Sequence, residues 1–400
     1  MSQQRNRRPH HGRPSNNRAR RPQSGGRRGP KKENIDPAKF VRAARPQTHT
    51  EYDPENTFSD FDLAPLLHEN IERKGFHTLS PIQDQIIPHG LQGRDVIGIA
   101  NTGTGKTVAF ALPVLHQLMT DRNSKALIVA PTRELAEQVL DECRALSNGK
   151  SKIFWALLIG GSSMQRQLTD MRRNPNLVIG TPGRIKDHLE RGSLNLSQFN
   201  MVVLDEVDRM LDMGFVRDMR TILAQVPASR QSFFFSATMD ARVRGLIDEF
   251  AVNPLEISVK TGDTSDNVEQ DIVRFRGDDH KMEVLHEILR TQEAEKVLIF
   301  DETRGRVERL SKKLNQNGFN SESIHGGRSQ GQRKRALQKF KDDHVTVLVA
   351  TDVAARGIDV DGITHVINFA TPQSYSDYVH RIGRAGRAGN KGYALTFLER

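Results

Sequence analysis

Short runs of apolar, often β-branched residues recur along the chain from Phe58 onward, and each is followed by a stretch with helical spacing. Runs that are apolar throughout, rather than alternating, are typical of strands buried on both faces of a parallel sheet. A first series of strands is predicted at Asp95–Ala100, Ala126–Ala130, Ile153–Ile159, Leu177–Gly180, Met201–Leu204 and Ser232–Phe235. A second series is predicted at Lys296–Phe300, Ser321–Ile324, Val345–Ala350, His365–Phe369 and Ala394–Leu398.

Helical patterns lie between the predicted strands, at Arg133–Leu146, Phe215–Val226, Met282–Leu289, Arg306–Asn315 and Gln332–Phe340. This alternation predicts an α/β fold of two tandem parallel-sheet domains, with ligand sites at the carboxyl ends of the strands. The stretch Asn253–Asn267 breaks the alternation with Pro, Gly, Asp and Ser, so residues 255–267 are predicted to be a linker. The first domain is then residues 85–254, preceded by a region at 56–84, and the second is residues 268–400.

The first 50 residues differ in composition from the rest of the chain. They hold fourteen Lys and Arg against two acids, a formal charge of +12; the whole chain carries +10, so residues 51–400 sum to −2. With few large apolar side chains, they cannot bury enough surface to offset their ordering entropy. Residues 1–50 are therefore predicted to be a disordered basic tail. Such an arm binds polyanions through counterion release at phosphates, and a solubilising leader is the alternative.

Cysteine content and hydropathy indicate which cellular compartment the protein occupies. The single cysteine, Cys143, lies in a helical pattern and excludes a disulfide framework and a Cys-based zinc site. No apolar stretch approaches the ~18 residues of a membrane span, and the basic N-terminus lacks the apolar region of a secretory signal. A transit peptide remains an alternative, although the Pro and Gly content argues against it. We therefore expect a cytoplasmic protein with no membrane partner.

The segment ANTGTGKT, Ala100–Thr107, directly follows a predicted strand and opens a helix. Backbone N–H groups of Gly103, Thr104 and Gly105 can wrap a phosphate, and the helix N-terminus adds positive potential. Lys106 can reach the β- and γ-phosphates, and Thr107 can hold Mg²⁺. The usual pattern begins with Gly where this chain has Ala100. The whole loop, with Asn101 and Thr102, is predicted to bind a nucleotide, a Gly-rich turn beside a surface lysine being the alternative.

A second motif, VVLDEVD, is an apolar strand that ends in acidic residues at Val202–Asp208. Asp205 would hold the metal and Glu206 would polarise the attacking water. An acidic N-terminal cap of the next helix is the alternative. Because the phosphate loop lies about a hundred residues upstream, the catalytic interpretation is favoured, and ATP hydrolysis is predicted.

The third motif, HRIGRAGR at His380–Arg387, interleaves basic residues with glycines. A solvated basic face is the usual interpretation of such a run. Arg384 and Arg387 are three residues apart, however, so both can point the same way from a helix start. There they could cross an interdomain cleft and stabilise charge on the transferring phosphoryl group. Hydrolysis would then depend on domain closure.

These three motifs resemble those of the DEAD-box ATP-dependent RNA helicases of superfamily 2, and the similarity extends from Phe58 to Leu398. The resemblance implies two RecA-like domains that use ATP and Mg²⁺ and bind RNA. It identifies residues 56–84 as the Q-motif region. Within GFHTLSPIQ, Gln83 would bind the adenine, and Phe58, seventeen residues before Gly75, would stack on it.

The resemblance also implies roles for the remaining motifs. In the first domain it assigns RNA contacts to Pro131, Thr132, Arg133, Gly160, Gly161, Thr181, Gly183 and Arg184. In the second domain LIF, Leu298–Phe300, matches an RNA-side motif, and RNA contacts are assigned to Gln330, Arg333 and Thr351, with Asp359 on the ribose. Coupling of hydrolysis to unwinding is assigned to Asp208, Ser236, Thr238 and His380.

Departures from the family pattern remove no charged or polar contact named above. Val207 stands where the family has Ala, Leu79 where Pro is common and Ala385 where Thr is frequent. If the site around Val207 is tight, the two added methyls could cost about 1–3 kcal/mol. The family usually continues with more helix after the position of Arg400, so we expect a longer natural chain or a short second domain.

The resemblance predicts an ATP-dependent RNA helicase that binds single-stranded and duplex RNA without sequence preference and unwinds short duplexes as the two domains close. A groove of backbone N–H groups, Thr hydroxyls and Arg reads phosphates and 2′-hydroxyls rather than base edges. An RNA annealer driven by the basic tail and a DNA translocase are alternatives. The two tandem domains and the arginines Arg384 and Arg387 argue against a signalling GTPase. Ribonucleoprotein partners are compatible with the sequence, and a monomer is the default expectation.

Overall fold

A computed structural model of the chain describes residues 33, 35–44, 52–101, 103–148, 151–259, 267–355, 358, 360–386 and 390–400. The predicted α/β fold is confirmed, with two parallel sheets of seven and six strands. Most of the predicted basic tail lies outside the described residues. So do three predicted site residues, Thr102, Asp359 and Arg387.

The first domain contains nine α-helices among the described residues. Its strands are β1 (Val96–Ile99), β2 (Ala126–Val129), β3 (Trp155–Leu158), β4 (Leu177–Gly180), β5 (Met201–Leu204), β6 (Gln231–Ser236) and β7 (Leu255–Ser258), in the order β3-β4-β2-β5-β6-β1-β7. Its helices are α1 (Pro65–Arg73), α2 (Pro81–Leu91), α3 (Lys106–Thr120), α4 (Arg133–Ser147), α5 (Met164–Met171), α6 (Pro182–Glu190), α7 (Val207–Asp212), α8 (Val216–Leu223) and α9 (Ala241–Phe250).

The second domain repeats this architecture. Its strands are β8 (Val268–Phe275), β9 (Val297–Phe300), β10 (Ser321–Ile324), β11 (Val347–Ala350), β12 (His365–Asn368) and β13 (Gly392–Glu399), in the order β10-β11-β9-β12-β13-β8. Its helices are α10 (Gly277–Leu289), α11 (Arg304–Gln316), α12 (Gln330–Lys341), α13 (Asp352–Ala355) and α14 (Tyr375–Ile382).

Each sheet is covered on both faces, as its uniformly apolar central strands require. Val96 of β1 packs into one apolar cluster, whereas the next residue, Ile97, packs into the cluster on the opposite face. In the second domain Leu298 and Ile299 of β9 divide in the same way. Parallel pairing brings the carboxyl ends of the strands of each sheet to one edge, where the predicted motifs lie.

Two strands, β7 and β8, do not appear in the sequence prediction, and β7 falls inside the predicted linker. Both are edge strands. Their sequences, LEIS and VEQDIVRF, mix polar and apolar residues because one side faces solvent, so they lack the continuous apolar run that marks the central strands.

Residues 35–44 form structure within the stretch for which the sequence predicts disorder. A short 3₁₀ helix, Pro37–Phe40, begins after Asp36, whose side chain accepts a hydrogen bond from Ala38 N. Phe40 is 1% exposed and packs in the core of the second domain. Two apolar side chains, Ile35 and Phe40, supply the burial that the composition of the tail as a whole does not indicate.

Candidate nucleotide site and interdomain surface

The phosphate loop joins β1 to α3. Gly103 and Gly105 have φ of +82° and +88°, a region that favours glycine. A Cβ on Gly105 would also lie 2.4 Å from Gln83 Nε2. Thr104 Oγ1 donates to the Asn101 carbonyl at 2.9 Å, and the buried Lys106 donates its Nζ to the Ala100 carbonyl at 3.0 Å. The loop therefore has the strand–turn–helix geometry that phosphate binding requires.

A cavity of about 340 Å³ lies beside the loop and is lined by Phe76, Thr78, Ser80, Pro81, Ile82, Gln83, Gly103, Thr104, Gly105 and Val259. Gln83 donates Nε2 to the Gly105 carbonyl at 3.2 Å and accepts from Ser80 N at 3.0 Å. The predicted adenine-binding amide therefore stands where the loop meets the cavity.

Phe58 does not line this cavity. It is buried and stacks on Phe76, with ring centroids 6.5 Å apart and planes at 22°. Phe76 is the aromatic residue that lines the cavity. No role was predicted for it from the sequence, although it lies in the GFHTLSPIQ segment. The structure thus inserts Phe76 between the predicted stacking residue and the space for a base.

Two acidic residues follow β5. Asp205 is 3% exposed, and its Oδ1 has no hydrogen-bond partner. Burial raises the pKa of Asp205 to about 6, and the charge of Lys106 acts in the opposite direction. Glu206 has φ of +55° and is paired with Arg209 Nη1 at 2.9 Å. The buried Asp205 oxygen fits the ligand that a magnesium ion needs at this position.

Within the described residues, no group of three or more His, Cys, Asp or Glu side chains could hold a metal. Mg²⁺ is usually bound by one or two carboxylates together with substrate phosphates. Thr107, the second residue of α3, is half-buried. Asp205 and Thr107 are thus the residues suited to the ion.

Asp208 lies at the centre of a hydrogen-bonded network between α7 and the end of β6. Its carboxylate accepts from Ala237 N at 3.2 Å, Thr238 N at 3.0 Å and Thr238 Oγ1 at 3.1 Å. Asp208 N donates to Ser236 Oγ at 3.3 Å, and that hydroxyl donates to the Thr238 carbonyl at 2.7 Å. The structure therefore brings together three residues predicted to couple hydrolysis to unwinding.

The second domain reaches this network through His380, on α14. Burial lowers the pKa of His380, and the charge of Arg209 lowers it further, whereas the carboxylates of Asp208 and Glu206 act to raise it. These three first-domain charges act on the imidazole because His380 lies across the domain boundary from them. His380 was predicted to be a coupling residue.

The two described arginines at the centre of HRIGRAGR, Arg381 and Arg384, make different contacts, and Arg387 lies outside the described residues. Arg384 lies beyond the end of α14, not at a helix start as predicted, and its Nη1 donates to the Ile358 carbonyl at 2.7 Å. Arg381 holds Asp352 through two nitrogens and also donates to Asn368 Oδ1 at 3.0 Å. Arg381 therefore fixes α13 and β12 inside the second domain, a role the sequence analysis did not single out.

The predicted first-domain RNA residues follow β2, β3 and β4. Thr132 caps α4 by accepting from Leu135 N at 3.2 Å. The Arg133 guanidinium lies against Gly160 and Gly161, and a Cβ on Gly161, at φ +79°, would meet it at 2.2 Å. The other residues of this set lie on the same sheet edge, Pro131 after β2 and Thr181, Gly183 and Arg184 around the start of α6.

In the second domain, Gln330 and Arg333 begin α12 and face the first domain. Arg333 Nη2 pairs with Glu134 Oε1 at 2.8 Å, and Gln330 Nε2 donates to the same oxygen at 3.4 Å. Thr351 follows β11, and its N donates to the Ile324 carbonyl at 3.3 Å. Glu134, part of the PTREL segment, is a buried interdomain partner that the sequence analysis did not predict.

Two further expectations concern the surroundings of the site. In the part of the chain that the structure describes, no helix is both long and apolar enough to cross a bilayer. Cys143 is fully buried in α4, and burial raises the pKa of its thiol to about 12. The thiol is therefore a small core group rather than a nucleophile.

Comparisons with known proteins agree with this geometry. A family model for DEAD/DEAH box helicases matches residues 80–246, and one for the helicase conserved C-terminal domain matches residues 280–389. The ATP-dependent RNA helicase CshA of Listeria monocytogenes is 46% identical over 344 residues, covering 86% of this chain and 66% of that protein. The DEAD-box ATP-dependent RNA helicase CshA of Bacillus subtilis is 44% identical over 345 residues, covering 86% and 69%.

Among solved structures, S. cerevisiae Dbp5 bound to RNA and ADP BeF3 is 30% identical to this chain, with a TM-score of 0.76 over 86% of this chain and 90% of that one. The fold and the two-domain arrangement are therefore similar to those of a protein captured with RNA and a nucleotide analogue. The chain spans about two thirds of the length of the curated relatives, 66% and 69% of the two named above.

Proposed function

Because the chain belongs to the DEAD-box family of ATP-dependent RNA helicases, we propose that it binds RNA without sequence preference and unwinds short duplexes. Unwinding would occur as its two RecA-like domains close on ATP and RNA. The observation that carries the proposal is the position of Asp208. Its carboxylate accepts from Thr238 N in the first domain, and its charge acts on His380 of the second. We therefore propose that a movement of either domain alters the surroundings of Asp208, two residues after Glu206.

ATP binding is assigned to the cavity beside Gln83 and to the phosphate loop. Lys106 would exchange the Ala100 carbonyl for the β- and γ-phosphates. Asp205 and Thr107 would hold Mg²⁺, which supplies charge neutralisation on the phosphate oxygens. The charge of Lys106 acts against the rise in the pKa of Asp205 that burial causes, and so favours the ionised carboxylate that a metal ligand needs.

Hydrolysis is assigned to Glu206, which would orient and polarise the attacking water. In this structure its carboxylate is held by Arg209 at 2.9 Å. Arg384 and Arg387 would stabilise charge on the transferring phosphoryl group, and Asp359 would contact the ribose. Arg384 would leave the Ile358 carbonyl to do so, so the proposal requires movement in the segment after α14.

RNA binding is assigned to the edge where β2, β3 and β4 end, together with the start of α12 and Thr351. The backbone at the half-buried Gly160 and the exposed Gly161 lies beside the Arg133 guanidinium, a combination that would offer N–H donors and positive charge to phosphates. Such contacts follow the sugar-phosphate backbone rather than the base edges, which supports binding of both single-stranded and duplex RNA regardless of sequence.

The proposal is tested by measuring ATPase rates with and without RNA. We expect single-stranded or duplex RNA to raise the rate strongly, and Lys106→Ala to abolish it. Lys152→Ala changes an exposed lysine of the same domain and serves as the matched control with wild-type rates. Rates indifferent to RNA would refute the helicase proposal, and preferential stimulation by DNA would favour a translocase acting on DNA.

A second candidate function, RNA annealing, is favoured by the charge of +12 on residues 1–50. Annealing by counterion release does not require hydrolysis. It should therefore survive Glu206→Gln and disappear when residues 1–32 are deleted, a deletion that spares the packed residues 35–44. We propose that both activities take place in the cytoplasm, with a monomer as the default state and ribonucleoproteins as compatible partners.

A further inference from the structure

The segment before the first domain packs on the second domain. We call residues Ile35–Ala44 the docking segment. Phe40 is 1% exposed and meets Tyr378 edge-on, with ring centroids 4.7 Å apart. Ile35 is 8% exposed and belongs to the same apolar cluster, which includes Val268 of β8 and Ala385 after α14. The docking segment therefore contributes core residues to a domain that begins more than two hundred residues later in the chain.

Backbone hydrogen bonds fix the position of the docking segment on the edge of the second sheet. Arg42 N donates to the Gln270 carbonyl at 2.9 Å, and Gln270 N donates to the Arg42 carbonyl at 2.8 Å. Just before the segment, Glu33 N donates to the Gln373 carbonyl at 2.9 Å, and Glu33 Oε2 accepts from Tyr375 N at 2.9 Å. The contact thus adds an antiparallel bridge to β8, the pairing by which peptides recognise exposed sheet edges.

Ten residues after Arg42 the chain is anchored on the first domain. Tyr52 Oη donates to Asp84 Oδ2 at 2.6 Å, and Glu55 N and Asn56 N donate to the same carboxylate at 2.9 and 3.1 Å. Asp84 is a buried residue of α2, the helix that carries Gln83. The N-terminal segment is therefore fixed to the second domain at one end and beside the nucleotide cavity at the other.

We propose that the docking segment is an intramolecular strap, a second connection between the domains in parallel with the chain from Val259 to Asn267. Ten residues span at most about 33–36 Å, so a docked strap limits how far the domains can separate. The strap is docked in an arrangement in which Arg333 already meets Glu134. It therefore permits closure and restricts opening, and it lowers the entropic cost of bringing the domains together.

Docking within one chain is tested by a disulfide. In an antiparallel pair that exchanges both hydrogen bonds, the Cα atoms lie about 5.5 Å apart, within the disulfide range. We expect Arg42→Cys with Gln270→Cys to oxidise to a monomeric, cross-linked chain; the native Cys143 is fully buried and does not compete. Adding Phe40→Asp should abolish the cross-link. A disulfide-linked dimer, or oxidation indifferent to Phe40→Asp, would overturn docking in cis.

The restraint on opening is tested through RNA-dependent ATPase kinetics. Phe40→Asp releases the strap, so the RNA concentration for half-maximal ATPase should rise about threefold while kcat stays near wild type. Val41→Asp adds the same charge one residue away on a side chain that is 54% exposed and should leave both values unchanged. If the RNA concentration for half-maximal ATPase is the same in Phe40→Asp and Val41→Asp, the strap proposal is wrong. The disulfide test does not depend on helicase activity, so it can fail or succeed independently of the proposed function.

Discussion

At Val207 the side chain occupies space that the family usually leaves to alanine. The residue is fully buried and belongs to the apolar cluster that also contains Leu204 and Met210. The two extra methyl groups therefore lie inside the first-domain core. Beside it in the chain, Glu206 is paired with Arg209 and Asp208 accepts from Thr238 N.

Val207→Ala should destabilise the first domain without abolishing activity. Removing two buried methyl groups leaves a cavity, and we expect the free energy of unfolding to fall by about 1–2 kcal/mol. Denaturant unfolding measures this, and RNA-stimulated kcat should stay within about twofold of wild type. Val252→Ala removes the same atoms from a side chain that is 64% exposed and should be silent. An equal effect of both substitutions would contradict the packing argument.

Among the strands, the central ones were predicted from their apolar runs, and two of the four edge strands, β3 and β10, were predicted as well. The runs at β2, β4, β5 and β9 are apolar throughout and were placed to within a residue or two. The edge strands β7 and β8 were not predicted, since one side of each faces solvent. The turn of chain around Phe40 also escaped prediction, because its burial depends on Tyr378 of a distant helix.

The Glu308 carboxylate connects helix α11 to strand β10 through hydrogen bonds, and its protonation in acid should change the stability of the second domain. Ser323 Oγ donates to Glu308 Oε2 at 2.7 Å, and hydrogen bonds from His325 and Arg328 add to this. Together they lower the pKa of Glu308 from 4.5 to about 2. A depressed carboxyl pKa contributes stability above the unfolded-state value and loses it as pH falls towards the folded-state value.

Glu308→Gln should therefore reduce stability at neutral pH by at most about 1 kcal/mol, because the carboxylate is half-exposed and screened. The difference from wild type should shrink as pH falls from about 4.5 to 2. Thermal unfolding across this range measures it. Glu283→Gln, at an exposed position of α10, is the control and should track the wild type; a pH-independent difference for Glu308→Gln would contradict the linkage.

Across the whole molecule, sequence reasoning could identify residues within contiguous motifs but not their partners across the cleft. Ala100–Thr107 and Asp205 were found because short spacing and strand context carry the signal. The pairing of Arg333 with Glu134, and the approach of His380 to Asp208 and Arg209, depend on how the two domains meet. No local pattern encodes that meeting, since each residue alone is compatible with an ordinary surface or cap role.

The Glu134–Arg333 pair should control closure itself. Both side chains are buried, 5% and 6% exposed as residues, and removing one charge leaves the other desolvated and unpaired. We expect Glu134→Lys to reduce RNA-stimulated kcat/KM by tenfold or more, a loss of at least about 1.4 kcal/mol. Asp248→Lys reverses an exposed charge on α9 of the same domain and should have little effect.

Reversing both partners separates a structural pair from two independent RNA contacts. If the pair acts mainly by holding the domains together, Glu134→Arg combined with Arg333→Glu should recover most of the activity lost by either change alone, because the opposite charges still meet at the same place. If instead Arg333 serves chiefly to bind RNA phosphate, the double variant should remain as weak as Arg333→Glu, and its loss should shrink as salt is raised. Measuring kcat/KM for all four proteins at two salt concentrations decides between closure and RNA contact as the main role of this arginine.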